Sequence, residues 1–170
     1  MNLEIANGIW VTMVTPFTNE GTIDFAALEK LIDWYVQKKV AGLFAVCKSS
    51  ESFELSLKER LELAAFVVES AAGRLPVIAS GNLEKGLNNQ VEEIRKIADT
   101  GVDAVVLISS LVAAESESDA VWMDNIKTIL ERISSDIHLG IYESPYPYKR
   151  IMVPELLQRC VDTGRFQFLK

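Results

Sequence analysis

The residues that could do chemistry here are two amines, a phenol and a set of hydroxyls. Lys170 closes the stretch "FQFLK", in which Phe166, Phe168 and Leu169 read as a strand. Tyr142 and Pro145 bracket "YESP" at the end of an earlier apolar run, and Lys48, Ser49 and Ser50 fall in "CKSSE" after another. An amine withdrawn from water is more readily neutral, and a neutral amine attacks a ketone to form a Schiff base. A phenol beside it can carry the protons that imine formation and C–C cleavage require. Small hydroxyls and the N–H groups of a turn can hold a carboxylate by charge-assisted hydrogen bonds. These types suit imine chemistry on a 2-oxo acid better than acid–base work by paired carboxylates. Each also has a plainer use: a strand-end lysine reaching solvent, a half-buried aromatic, turn serines bonded to their own backbone, a surface charge at Lys48.

The elements that must position these residues alternate along the chain. Strands are expected at "GIWVTMV", "GLFAV", "PVIAS", "AVVLI", "IHLGIYES" and "FQFLK". Between them lie helical periods. "DFAALEKLIDWYVQKK" has Asp24 as N-cap and Phe25, Leu28, Leu31, Ile32, Tyr35 and Val36 on one face. "SLKERLELAAFVVESAAG" opens with a Ser56–Glu59 capping box and closes at Gly73. "NNQVEEIRKIADTG" turns Val91, Ile94, Ile97 and Ala98 inward. "SDAVWMDNIKTILERIS" turns Val121, Trp122, Ile126, Ile129, Leu130 and Ile133 inward, and "VPELLQRCVDTG" carries Pro154 in its first turn.

Five βα units and a final strand, with short continuous apolar strands, imply a buried parallel sheet of the α/β class. A doubly wound open sheet and part of a (β/α)8 TIM barrel both fit. Neither G-x-G-x-x-G nor a P-loop follows a strand, so the phosphate loops of nucleotide-binding sheets are missing. No linker divides the chain, and residues 1–170 read as a single domain. A complete barrel takes about 250 residues, so a barrel reading makes this the N-terminal part, strands one to six. In parallel α/β folds chemistry collects at the C-terminal ends of the strands. Thr12, Thr15, Ser80, Asn82, Ser109 and Ser110 share those ends with the amines and the phenol.

The net charge of −7 argues against nucleic acid or an anionic membrane surface as partner. No apolar run approaches the roughly 20 residues of a spanning helix, so the cytoplasm is the expected location. Cys47 and Cys160 have no metal-ligand spacing, and His138 is the one histidine, so no metal site is expected. Cys47 reads as a small apolar filler, His138 as a strand-start residue remote from the chemistry, and Trp10, Trp34 and Trp122 as core or helix packing.

At these residues the sequence resembles the dihydrodipicolinate synthase / N-acetylneuraminate lyase family of class I, pyruvate-dependent aldolases. The segments are "VTPFTNEGTIDFAALEKLIDWYVQKKVAGLF", the "SSE" turn with "LSLKER", "ADTGVDAVVLI", "GIYESP" and "FQFLK". The resemblance implies a (β/α)8 barrel, Lys170 as the Schiff-base lysine, Tyr142 as the proton-transferring phenol, and Ser49, Ser50 and Lys48 at the substrate carboxylate. It implies pyruvate or a related 2-oxo acid as small-molecule partner, no cofactor beyond the covalent imine, and a homo-oligomer, dimer or tetramer. Three departures stand out. The family's usual Gly-Ser/Thr-Thr-Gly-Glu turn reads Cys47-Lys48-Ser49-Ser50-Glu51, the tyrosines after the fourth strand are replaced by "SSLV", and the arginine after Tyr-x-x-Pro falls on Pro147. They point away from the lysine-biosynthetic reaction and toward another lyase or aldolase using a 2-oxo acid. The alternative is a non-catalytic 2-oxo acid binding or regulatory member, or an inactive fragment.

Overall fold

Asp24 and Ser56 start their helices as their side chains dictate. Asp24 Oδ1 accepts the Ala27 N–H at 2.9 Å, opening α1 (Phe25–Gln37). Ser56 Oγ accepts the Glu59 N–H at 3.3 Å and Glu59 Oε2 accepts the Ser56 N–H at 2.8 Å, the expected capping box of α2 (Leu57–Ala71). The computed structural model describes residues 6–170. They form two compact units, Ala6–Ala79 with Lys96–Asp103, and Ser80–Arg95 with Ala104–Lys170.

The first unit holds β1 (Trp10–Thr12), α1, β2 (Gly42–Phe44), α2 and all but the last residue of β3 (Val77–Ser80). β1 pairs parallel with β2, and β2 with β3. Leu28, Ile32 and Tyr35 of α1 and Leu63, Ala64, Val67 and Ala71 of α2 are buried, the faces their period predicts. Trp34 departs from expectation: it is 50% exposed, with the Lys38 ammonium over its ring. The helical stripe that buries Ile32 and Tyr35 turns position 34 outward.

After α3 (Leu87–Asp99), in which Val91, Ile94 and Ile97 are fully buried as expected, the second unit continues with β4 (Ala104–Ile108), α4 (Ser109–Val112), α5 (Asp119–Arg132), β5 (Leu139–Tyr142), α6 (Pro154–Asp162) and β6 (Phe166–Leu169). β4 pairs parallel with β5, and β5 with β6. In α5 the inward stripe is Trp122, Ile126 and Ile129, flanked by Met123. Val121, expected inside, is exposed. Positions 121 and 123 flank the stripe about equally, and period alone does not choose between them. The four-residue α4 starts directly on the last residue of β4, with no glycine, proline or asparagine to announce it. Strand order is β1-β2-β3-β4-β5-β6. That sequential order is the one a barrel requires. A doubly wound sheet reverses direction at a switch point.

Two cross-strand pairs have the same construction. Trp10 pairs in register with Gly42, and Phe168 with Gly140. A Cβ on Gly42 would meet the Trp10 ring at 2.4 Å, and one on Gly140 would meet the Phe168 ring at 2.2 Å. In each pair an aromatic side chain lies in the space a neighbouring side chain would occupy. Gly140→Ala should therefore push the Phe168 ring off β5 and cost about 1–3 kcal/mol, the usual penalty of overpacking. A urea-unfolding midpoint equal to that of the wild type would refute this seat.

Cys160 of α6 is buried, and burial pushes its thiol up to about 11 against the pull of Arg159. A thiol held neutral in the fold binds its proton more tightly there than in the unfolded chain. Its contribution is therefore intact below the unfolded value near 9 and is lost as pH rises from there toward 11. Cys160→Ser should flatten the alkaline fall in stability over that window, measured by denaturation at stepped pH.

Candidate active site

Lys170 and Tyr142 meet because the β5–β6 ladder runs past the end of β6. The Lys170 N–H donates to Ile141 O at 2.8 Å, and Lys170 O accepts the Glu143 N–H at 2.9 Å. Those two bonds set Lys170 directly opposite Tyr142. Side chains two apart on a strand share a face, so Lys170 follows Phe168, and Tyr142 follows Gly140. The first couple places the Phe168 ring over Gly140. The second places Lys170 Nζ over the Tyr142 ring, 4.0 Å from its centroid. A charged amine is attracted to the face of a phenol ring, and the phenol oxygen lies one ring radius and one bond from that centroid. Lys170 is exposed and Tyr142 half-buried.

The loop after Tyr142 is fastened at almost every residue. Ser144, fully buried, donates its N–H to Tyr142 O at 2.9 Å and accepts the Tyr146 N–H on Oγ at 3.2 Å. Ser110 Oγ donates to Tyr146 O at 3.0 Å, and Tyr148 Oη donates to Ala113 O. Glu143 Oε2 accepts the Met152 N–H at 2.8 Å, and its Oε1 lies 3.5 Å from Lys149 Nζ. Arg150 is the main fastener. Its guanidinium donates to Asp119 Oδ1 at 2.7 Å, to Ala114 O at 2.9 Å, to Glu117 O at 2.7 Å and to Tyr148 Oη at 3.3 Å. The side chain is only 7% exposed. Sequence reading missed Arg150 and Glu143. No spacing marks a clamping arginine among surface ones, and Glu143 lay inside a motif read for its tyrosine and proline.

Other strand ends of this unit carry buried polar groups. Asn82 is fully buried and clamps Ile108, accepting its N–H at 2.8 Å and donating to its carbonyl at 3.2 Å. Ser80 and Ser109 are fully buried, and neither hydroxyl has a hydrogen-bond partner among the described residues.

In the first unit, the turn after β2 holds the remaining predicted residues. Lys48–Ser50 forms one 3₁₀ turn. Ser50 is buried, and its Oγ donates to Met13 O at 2.8 Å while accepting the Cys47 N–H at 3.2 Å. Thr15 Oγ1 donates to Ser50 O at 3.0 Å. Cys47 is buried with its Sγ 3.5 Å from Met13 O, in keeping with a filler role. Ser50 and Thr15 thus hold the turn to the segment after β1, while Lys48 and Ser49 are exposed on it. Two residues are strained: Val46, φ +27°, and Glu51, φ +61°. Both lie in the left-handed region that L side chains rarely adopt, and they flank the turn.

Residues 5–159 match the model of the Dihydrodipicolinate synthetase family. The chain belongs to that family. Tyr142 and the Lys48–Ser50 turn fall inside the matched residues, and Lys170 follows them. A 4-hydroxy-tetrahydrodipicolinate synthase of Psychrobacter arcticus is 29% identical over 96% of the chain and 52% of its own length. One from Shewanella baltica is 33% identical over 93% of the chain and 52% of its own length. This family member thus spans about half the length of the curated relatives it matches. Among solved structures, the pyruvate complex of the chloride-inhibited dihydrodipicolinate synthase from Acinetobacter baumannii superposes with a TM-score of 0.85 at 23% identity, covering 96% of the chain and 54% of that structure. These likenesses show the fold: that of the family's TIM barrels, with strands one to six present in the chain.

Ser50→Ala tests the hold on the turn. It removes the hydroxyl from Met13 O and the acceptor from Cys47 N–H, both buried, and should cost about 1–3 kcal/mol. A denaturation midpoint within error of the wild type would show that the turn stands without it.

Proposed function

We propose that the full-length protein is a class I aldolase or lyase of pyruvate or a related 2-oxo acid, with Lys170 as its nucleophile. The observation that carries this is the main-chain pinning of Lys170 opposite Tyr142, with Nζ 4.0 Å from the phenol ring centroid. Lys170 Nζ attacks C2 of the 2-oxo acid, and the carbinolamine loses its oxygen as water to give the iminium. Tyr142 supplies the proton that oxygen needs and takes it back in the reverse step. The iminium is the electron sink. The Tyr142 phenolate takes a C3 proton to give the enamine, and C3 then bonds to an aldehyde carbon whose oxygen receives that proton from Tyr142. Water hydrolyses the iminium, releasing a 4-hydroxy-2-oxo acid and regenerating the lysine. Run backwards, the same steps cleave that C–C bond. The imine itself carries the chemistry, so no cofactor is invoked. Lys48 and Ser49 are assigned to the substrate carboxylate. Ser50, whose hydroxyl is already committed to Met13 O, is assigned to holding their turn. A dimer or tetramer is part of the proposal, measurable by light scattering on the full-length protein.

The departures at Lys48, at Ser109–Val112 and at Pro147 support a reaction other than 4-hydroxy-tetrahydrodipicolinate synthesis. Pyruvate with borohydride should fix a pyruvyl adduct on Lys170, located by peptide mass mapping and abolished by Lys170→Ala. Tyr142→Phe should slow trapping by roughly 10²–10⁴-fold, the usual worth of a proton-transferring group. An adduct on Lys48 would transfer the nucleophile's role to that residue. Absence of any adduct with several 2-oxo acids would favour a non-catalytic 2-oxo acid binding protein.

A further inference from the structure

β6 carries an extra residue in its ladder with β5. Leu139 pairs with Phe166, but Gly140 pairs with Phe168 and Ile141 with Leu169, so the register shifts between Leu139 and Gly140. Gln167, exposed, has no counterpart on β5. Side chains alternate with a period of two, so an extra residue exchanges the faces of everything beyond it. Counted from Leu139 and Phe166 without the shift, Tyr142 would stand opposite Leu169. Lys170 would then stand opposite Glu143, on the face of Leu139 and Ile141. With the shift, Lys170 stands opposite Tyr142. Its main-chain bonds to Ile141 O and from the Glu143 N–H belong to that register, and its amine lies over the phenol ring.

The pair that opens the shifted stretch is Gly140 with Phe168. A Cβ on Gly140 would meet the Phe168 ring at 2.2 Å, so the ring sits where only glycine leaves room. Without the shift the ring would stand opposite Ile141, whose own side chain is buried and leaves no such vacancy. We infer that Gln167 and Phe168 are positioning residues of the proposed reaction: the extra residue turns Lys170 onto the face of Tyr142, and the Phe168 ring on Gly140 keeps it there. The inference rests on the aldolase reading and adds to it the device that aims the nucleophile. Extra residues of this kind recur beside active sites, where they re-aim a side chain.

The experiment uses the full-length protein. Borohydride trapping of the wild type with pyruvate tests the aldolase reading, and without an adduct both the reading and the inference fall. With the adduct formed, Phe168→Ala should lower the saturating rate of trapping at Lys170 by about 10-fold or more, the scale of a displaced reacting group. Deletion of Gln167 lets Phe166, Phe168, Leu169 and Lys170 run unbroken against Leu139 to Tyr142, so the deletion alone should keep trapping. Adding Phe168→Ala to it should change the rate by no more than about two-fold, as for independent changes. The denaturation midpoint should fall on Phe168→Ala in both backgrounds, because the ring leaves a void in each. Phe168→Leu, with a smaller void, should show the same dependence on Gln167 to a lesser degree and serves where Phe168→Ala does not fold. Equal loss of rate in the two backgrounds would reduce the ring to packing and overturn the inference while leaving the aldolase reading intact. So would wild-type trapping in Phe168→Ala, or loss of trapping on deletion of Gln167 alone.

Discussion

The proposed chemistry depends on how the end of β6 is seated on β5. Two main-chain hydrogen bonds, one on each side of Lys170, fix which residue of β5 it faces. A shift of one residue would send its side chain to the other face of the sheet. The Phe168 ring over Gly140 keys the same register one step earlier. The backbone therefore delivers the amine to the phenol, and no side-chain bond between the two is needed to do so. Rigid positioning of this kind is what a reaction through a short-lived covalent intermediate requires.

The segments that carry the candidate residues are built differently in the two units. In the second, the loop after Tyr142 is tied by Ser110, Tyr148 and Arg150 to the chain that follows β4. The ties consume nearly all its polar groups, so the loop is specified by buried hydrogen bonds and shows solvent a mostly apolar surface. In the first, the turn after β2 spends Ser50 and Thr15 on its own support and leaves Lys48 and Ser49 outward. Strain at Val46 and Glu51 is carried there, where the surrounding bonds can hold it.

Much of this was legible from residue order. The Ser56–Glu59 box, the Asp24 cap and the run "AVVLI" each state a local preference that nothing in the fold opposes. Lys170 and Tyr142 were legible as strand-end residues, their roles were only implied by the resemblance to the family, and the ladder brings the two together. Arg150 was not. Its partners are mostly carbonyl oxygens, which every residue possesses, so no pattern of side chains announces the clamp. Val121 and Met123 show a second limit, since which flank of a helical stripe is covered depends on a neighbour the period does not describe. The division of labour between Ser49 and Ser50 shows a third. Adjacent identical residues were read alike, and one 3₁₀ turn buries one and exposes the other.

The aromatic rings over Gly42 and Gly140 tie together positions 32 and 28 residues apart in the chain, Trp10 with Gly42 and Phe168 with Gly140. Neither member can drift alone. A side chain gained at the glycine has nowhere to go until the ring shrinks, and a ring lost leaves a void that glycine cannot fill. Such a pair changes by two linked substitutions or stays as it is. Among descendants of this chain, the two positions of each pair should therefore vary jointly, and positions 140 and 168 would mark the β5–β6 register in a sequence too diverged to align by its catalytic residues.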